Sequence, residues 1–119
     1  MGELKVKRVY DTPAPEDGAR LLVDRLWPRG LTKEKAGIDA WLKGLSPSDA
    51  LRKRFHGHPE DWEAFRAAYA EELKAPGAQA AVAELDGFLA NGPVTLLYAA
   101  KDEARNNAVA LRLWLEGRR

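Results

Sequence analysis

Charged side chains cluster in the segment R-L-L-V-D-R-L-W-P-R-G, where a carboxylate lies among guanidinium groups. Asp24, Arg25 and Arg29 belong to this segment, and Lys101 and Asp102 follow a second apolar stretch. Carboxylates beside cations suit acid–base chemistry, and arginine and lysine side chains suit an anion such as phosphate. The sequence therefore predicts Asp24 and Asp102 as catalytic acid and base, and Arg25, Arg29 and Lys101 as anion contacts. An ion pair of Asp24 with Arg25 that simply closes a strand is the alternative.

Each charged set follows a segment that is typical of a buried strand. Leu21 and Leu22 open a run of consecutive apolar residues, which predicts a strand buried on both faces. The predicted strands of one small, mostly parallel sheet are Leu4–Tyr10, Leu21–Leu26 and Val94–Ala99. The first alternates apolar and charged residues, as an edge strand does. A helical stretch separates the other two, which favours a parallel pair with adjacent carboxyl ends, where open α/β sheets bind ligands.

Capping residues and helix breakers predict the flanking helices. Thr32 caps a short turn over Lys33–Ala36 that ends at Gly37, and Ser46 is the expected cap of the next helix, with Pro47 in its first position. Other helices are expected from Pro59 to the break at Ala75-Pro76-Gly77, and over Ala78–Ala90. Asp102 is expected to start the last helix, whose first N–H groups would then point at the anion site. Before the second strand, either a hairpin or one helical turn capped by Thr12 fits.

Composition limits the class of protein. With 119 residues, of which 45% are hydrophobic and 31% charged, the chain suits a single α/β domain over residues 1–119. The formal net charge of +1 does not favour nucleic acid or an anionic membrane as partner. Without cysteine there is no thiol nucleophile or disulfide, and a cytoplasmic location is the expectation. The charged amino terminus lacks the apolar core of a signal peptide, and no segment is long enough to span a membrane.

Cofactor and metal motifs are missing from the sequence. It contains no G-x-G-x-x-G, no Walker loop and no H-E-x-x-H, so no cofactor is predicted. His56 and His58, with Asp61 nearby, resemble part of a metal site, but Gly57 and Pro59 mark a helix junction at the same place. A structural role for the two histidines is therefore preferred, and no metal site is predicted.

The whole chain also carries a recognisable pattern of motifs. These are L-V-D-R-L-W-P-R-G-L-T-K-E, W-L-K-G-L-S-P-S, L-R-K-R-F, G-H-P, W-E-A-F, Y-A-E-E-L, T-L-L-Y-A-A-K-D and N-N-A. In them the chain resembles the YeaO-like branch of the domain of unknown function 488 family. The resemblance implies a Rossmann-like, three-layer α/β domain of uncharacterised biochemistry. It also implies a cysteine and a histidine near the end of the last strand in the wider family, where this chain has Ala104 to Asn107, which counts against thiol chemistry here.

Several positions match the family signature. They are Asp24, Arg25, Trp27, Pro28, Arg29, Gly30, Lys43, Ser46, Ser48, His58, Lys101, Asp102 and Asn107. With Tyr98 from the end of the last strand, the expected ligand contacts are Arg25, Trp27, Arg29, Lys43, His58, Tyr98, Lys101 and Asn107. For some positions a structural role is the alternative: Trp27 also suits the hydrophobic core, and Ser46 and Ser48 suit helix caps.

Three functions fit the sequence. The first is a small domain that binds a small anionic ligand such as a phosphorylated metabolite or nucleotide. Whether it also acts on this ligand is left open. The second is a nucleic-acid-binding or regulatory module that uses Lys43, Arg52, Lys53 and Arg54, which the small net charge disfavours. The third is a scaffold or oligomerisation domain without catalysis. The sequence leaves open whether the chain is an enzyme and in which oligomeric state it works.

Overall fold

Four parallel strands form the centre of the computed structural model, which describes residues 3–118. The strands are β1 (Leu4–Arg8), β2 (Ala19–Leu22), β3 (Ala40–Trp41) and β4 (Val94–Tyr98). Their spatial order is β1-β4-β2-β3, and every neighbouring pair runs parallel. The predicted α/β class is therefore confirmed, as are the edge position of β1 and the parallel pairing of the two buried strands.

Helices cover both faces of this sheet. They are α1 (Lys33–Ala36), α2 (Asp49–Phe55), α3 (Trp62–Glu72), α4 (Pro76–Asn91) and α5 (Asn107–Gly117), with short 3-10 turns at Pro15–Asp17, Lys43–Leu45 and Pro59–Asp61. Alternate residues of β4 enter different cores: Leu96 joins the larger cluster with α3, α4 and α5, and Leu97 joins a smaller one with Ala36 of α1. Successive side chains of a strand point to opposite faces, so the sheet is the middle of three layers.

The two inner strands, β2 and β4, are buried, as their runs of apolar residues predict. All five residues of β4 are buried, as are Arg20, Leu21 and Leu22 of β2. A strand with neighbours on both sides and helices on both faces has no face exposed to solvent. Polar residues therefore need not alternate with apolar ones along it. Thr95 is the polar residue within β4, and its hydroxyl donates to the carbonyl of Asp17 at 2.8 Å.

The sheet has one strand more than the sequence predicts. β3 is only two residues long and pairs with β2, where Leu42 N donates to Leu22 O at 2.8 Å. The side chain of Asp39 reinforces this edge by accepting a hydrogen bond from Arg20 N at 2.8 Å. A two-residue strand is too short to show a periodic pattern, which is why the sequence does not predict it.

The start of α1 is as predicted, whereas α2 starts at a different capping residue from the predicted one. Thr32 caps α1 as predicted, and Gly37 ends it at φ +58. The cap of α2 is Ser48 rather than Ser46: Ser48 Oγ accepts from Leu51 N at 3.1 Å, and Glu72 of α3 accepts from both Ser48 N and Ser48 Oγ. Both serines have capping chemistry, so only the tertiary contact with Glu72 distinguishes them.

The last helix begins five residues later than predicted, at Asn107 rather than Asp102. Asn106 is its cap, with Oδ1 accepting from Val109 N at 2.9 Å. Asp102 instead closes a local turn, in which its Oδ1 accepts from Ala104 N at 2.9 Å and from Arg105 N at 3.0 Å. Aspartate and asparagine cap helices about equally well, so the sequence offers two starts of similar quality. The single helical turn before β2 has Ala14 rather than Thr12 at its cap position, without a hydrogen bond from a capping side chain.

A buried ionic network lies at the amino-terminal end of β2, where the side chain of Lys7 from β1 reaches it. Asp17 Oδ2 accepts from Arg20 Nη1 at 2.6 Å and lies 3.1 Å from Lys7 Nζ, while Arg20 also donates to the carbonyls of Ala36 and Gly37. Burial alone would raise the pKa of Asp17, but the hydrogen bonds from Ala14 N, Lys7 and Arg20 together hold that pKa below its usual range. The network is therefore ionised and fully partnered at neutral pH.

Glycine is required next to this network. Gly18 has φ +66, and a Cβ atom there would lie 2.2 Å from the carbonyl oxygen of Pro93. That distance is far below a van der Waals contact, so a larger residue would push β2 away from the chain that enters β4.

Replacing Asp17 with asparagine should lower the free energy of unfolding by about 3 kcal/mol, because it leaves the buried Arg20 charge without its carboxylate. Urea denaturation at neutral pH measures this. Asp86→Asn is the matched control, since it breaks an exposed pair with Arg118 (2.8 Å) and should cost less than about 1 kcal/mol.

The difference in stability between wild type and Asp17→Asn should also depend on pH. Because the folded pKa of Asp17 is depressed, its contribution is fully present above about pH 4 and disappears as pH falls through the lower folded value. An equal gap between the two proteins at pH 7 and at pH 2 would contradict an ionic role for Asp17.

Candidate functional site

A cleft of about 700 Å³ opens at the carboxyl ends of β2 and β4. The loop after β2, the loop after β4, the end of α2 and the start of α5 surround it. Its lining residues are Tyr10, Asp24, Arg25, Leu26, Trp27, Pro28, Arg29, Pro47, Arg52, Phe55, His56, Gly57, Phe65, Ala99, Ala100, Lys101, Asp102, Arg105, Asn106 and Asn107. This is the position at which the pairing of the two inner strands predicts a ligand site.

The cleft brings together most of the residues that the sequence singles out. Those that line it are Asp24, Arg25, Trp27, Arg29, Lys101, Asp102 and Asn107. Pro28 is buried, and Gly30 has φ +75 in the turn that carries Arg29. Tyr10 Oη donates to the carbonyl of Arg29 at 2.9 Å, which fixes this turn against the end of β1.

Three residues expected as ligand contacts lie outside the cleft. Tyr98 is buried within β4, and that burial raises the pKa of its phenol. Lys43 lies over the ring of Trp41, 4.0 Å from the ring centre, where a cation–π contact holds it. His58 is exposed beyond the end of α2 and pairs with Glu60 at 3.3 Å. Lys43 and His58 rest on the family signature alone, which carries no information about direction.

Asp24 ties three elements together at the floor of the cleft. Its Oδ2 accepts from Ala99 N after β4 at 2.9 Å, and its Oδ1 accepts from Asn107 Nδ2 of α5 at 2.9 Å. The same Asn107 amide donates to Val23 O at 3.1 Å, and the Asp24 carbonyl accepts from Trp41 Nε1 at 2.7 Å. Asp24 is therefore a structural junction, and its carboxylate does not pair with Arg25.

Burial raises the pKa of Asp24 above its usual range. The hydrogen bonds from Asn107 and Ala99, together with the charge of Arg52, act in the opposite direction without cancelling the effect of burial. Asp102 behaves differently, because hydrogen bonds from the N–H groups of Arg105 and Ala104 lower the pKa of its exposed carboxyl group. The two carboxylates thus have pKa values displaced in opposite directions, although each already serves a structural contact.

Four of the cations that line the cleft fall into two groups. Arg25 forms an ion pair with Asp49 at the start of α2, and Arg52 reaches the other oxygen of the same carboxylate at 3.2 Å. Arg29 and Lys101 are exposed and, among residues 3–118, have no hydrogen bond or ion pair from their side chains. These two charges are therefore available to a bound anion without breaking an existing contact.

The end of α2 contributes a wall that the sequence does not predict. Arg52, Phe55 and His56 line the cleft from this helix, and Phe65 lines it from α3. The rings of Phe55 and Phe65 stack with centres 4.5 Å apart. The amphipathic pattern of α2 marks Phe55 as a core residue, and no local signal shows that the end of this helix reaches the strand ends.

A second group of polar residues lies at the helix junction outside the cleft. Potential ligand atoms of His58, Glu60 and Asp61 lie within 4.8 Å of one another, and all three residues are exposed. His56, the other histidine of the predicted pair, faces the cleft instead. Exposed carboxylates of this kind need further ligands to hold a metal, so the absence of a metal site stays a prediction.

No helix within residues 3–118 is long and apolar enough to cross a membrane. The cytoplasmic location and the small anionic ligand as partner both stay predictions.

Comparison with known proteins places the chain among sequences of unestablished function. A family model described as the inactive DUF488-N3 subclade matches residues 3–119. The chain is 43% identical to the uncharacterized protein YeaO of Escherichia coli (strain K12) over 94% of this chain and 96% of that protein. It is 39% identical to an uncharacterized protein of Mycobacterium tuberculosis (strain H37Rv) over 97% of this chain and 95% of that one. No solved structure matches significantly. The chain therefore belongs to the DUF488 family, in its YeaO-like branch.

Proposed function

We propose that this protein binds a small phosphorylated anion in the cleft at the carboxyl ends of β2 and β4, without catalysing a reaction on it. The observation that carries the proposal is the pair Arg29 and Lys101, whose side chains reach the cleft with no partner among residues 3–118. Cations that line a concave site and have no internal counter-ion attract anions from solution. Arginine also offers the forked donor geometry that matches phosphate oxygens.

The two carboxylates of the cleft weaken this attraction less than their formal charge suggests. Asp102 is directed at the N–H groups of Ala104 and Arg105, which offset its charge locally. Asp24 receives donors on both oxygens and has a raised pKa, so its charge is spread over hydrogen bonds inside the fold. The cationic groups of the cleft therefore dominate the field that an entering anion meets.

Several features support binding without catalysis. The matching family model is described as inactive, and the chain contains no cysteine. Asp24, the half-buried acidic group with a raised pKa, uses both carboxylate oxygens to hold Ala99 and Asn107 in place. A general base must be free to accept a proton from the substrate, whereas Asp24 already has a donor on each oxygen, and the lowered pKa of Asp102 makes it a weak base.

A small ligand explains the position of the cations better than nucleic acid does. Of the residues expected to contact nucleic acid, Lys43 contacts Trp41, and Lys53 and Arg54 do not line the cleft. Arg29 and Lys101 lie together in a concavity rather than along a continuous surface, which is typical of a small-molecule site.

Replacing Arg29 with alanine should weaken phosphate binding by about tenfold, because a charge-assisted contact to phosphate is lost. Folding should be nearly unchanged, since the side chain is exposed. Isothermal titration calorimetry with inorganic phosphate and pyrophosphate measures the affinity, which should also fall as salt is added. Equal affinity of Arg29→Ala and wild type would remove the proposal.

The matched control for this experiment is Lys53→Ala. Lys53 is an exposed cation of α2 that does not line the cleft, so its loss changes the net charge equally and should leave phosphate binding unaltered. Equal weakening by Lys53→Ala and Arg29→Ala would instead indicate a diffuse charge effect, as expected for nucleic acid.

Replacing Asp49 with asparagine should strengthen phosphate binding several-fold. Asp49 holds Arg25 and Arg52, so its neutralisation releases two further guanidinium groups at the edge of the cleft. The same titration detects the gain. Glu63→Gln is the control, because it removes an exposed partner of Arg66 away from the cleft (3.3 Å) and should have no effect. Unchanged or weaker binding by Asp49→Asn would show that Arg25 and Arg52 do not reach the anion.

A further inference from the structure

The large hydrophobic residues that the fold leaves exposed lie together at the cleft. Among residues 3–118 these are Tyr10, 41% exposed, and Leu26, 64% exposed, and both line the cleft. A single exposed leucine is ordinary on a protein surface. Two large exposed hydrophobic residues that line the same cleft as Arg29 and Lys101 indicate that the ligand has an apolar part as well as an anionic one.

The apolar and cationic contacts are joined within one short segment. Leu26 and Arg29 belong to the same turn after β2, and Tyr10 Oη donates to the carbonyl of Arg29 at 2.9 Å. The guanidinium group of Arg8 lies 5.1 Å from the centre of the Tyr10 ring and also donates to the carbonyls of Ala99 and Ala100. The ring is thus held beside the arginine turn rather than free to rotate away.

The other walls of the cleft are also largely apolar. Trp27 stacks edge-on against Trp41 with ring centres 5.5 Å apart, and Phe55 lies on Phe65. The volume of about 700 Å³ is within the range of sites for whole organic ligands, far more than an inorganic phosphate fills. Flat apolar surface in such a site is suited to a planar ring system, because every base or similar ring offers a π face for stacking.

We infer that the ligand is a free nucleotide, whose phosphate contacts Arg29 and Lys101 and whose base covers the exposed surface of Leu26 and Tyr10. This inference rests on the proposed anion site and adds the chemical class of its occupant. A sugar phosphate would satisfy the cations but leave the apolar surface in water. A nucleoside without phosphate would do the reverse.

Calorimetric titration with four compounds tests this inference: inorganic phosphate, ribose 5-phosphate, adenosine monophosphate and adenosine. Adenosine monophosphate should bind at least about tenfold more tightly than ribose 5-phosphate, since stacking of the base adds to the phosphate contact. Leu26→Ser should reduce that preference several-fold while leaving the affinity for inorganic phosphate unchanged. Leu113→Ser, the same substitution at a partly exposed leucine of α5 outside the cleft, should change neither affinity.

The outcomes separate this inference from the proposed function. Binding of phosphate and ribose 5-phosphate with no preference for adenosine monophosphate would overturn the inference and leave the anion site intact. No binding of any phosphate would overturn both. A 5′-phosphorylated octanucleotide that binds more tightly than adenosine monophosphate would overturn a free nucleotide as ligand and favour nucleic acid. A preference for adenosine monophosphate that survives Leu26→Ser unchanged would also contradict the inferred position of the base.

Discussion

The parallel pairing of β2 with β4 is the constraint on which the rest of the structure depends. It joins Ala19–Leu22 to Val94–Leu97, segments that are far apart in the sequence. Because both strands are buried, their backbone groups must be satisfied within the sheet, which fixes the register. The register in turn places Asp24 opposite Ala99 and brings the loops with Arg29 and Lys101 to one edge. A shift of one residue would exchange the two cores and separate the charges that surround the cleft.

The charged side chains at the two ends of the sheet differ in how completely they are paired. At the amino-terminal end of β2, Asp17 and Arg20 form a closed network with Lys7 of β1, in which each buried charge has its partners. At the carboxyl-terminal end, the carboxylate of Asp24 is engaged, whereas Arg29 and Lys101 have no side-chain partner within the described part of the chain. Charges that are paired within the fold contribute stability, whereas the charges of Arg29 and Lys101, unpaired within residues 3–118, can attract a ligand from solution. This contrast within one small sheet supports the proposal that the cleft binds an anion.

The sequence predicts features that depend on neighbouring residues and fails where distant contacts decide. Thr32 and Gly37 bound α1 as predicted, because cap and breaker act within one turn. Ser46 and Asp102 fail as helix starts because Ser48 and Asn106 have equivalent capping chemistry. The location of the cleft follows from the apolar runs and the rule for parallel sheets.

The composition of the cleft is less predictable than its position. Phe55 and His56 reach it only because α2 packs beside the strand ends, a contact with no local signature. Lys43 and His58 match the family motifs but point elsewhere, since a motif records residue identity and not direction. Asp24 shows the same limit: its type suggests acid–base chemistry, whereas its hydrogen bonds show a junction between strands and helix.

The pair of indole rings beside the cleft gives the protein an intrinsic optical probe. Trp27 lines the cleft and contacts Trp41, and both rings donate hydrogen bonds to backbone carbonyls of the surrounding loops, Leu31 O at 2.6 Å and Asp24 O at 2.7 Å. Indole emission depends on the polarity and hydrogen bonding around the ring. Occupation of the cleft would therefore alter the fluorescence of the unlabelled chain, so candidate ligands can be screened by emission spectroscopy without any assay of catalysis.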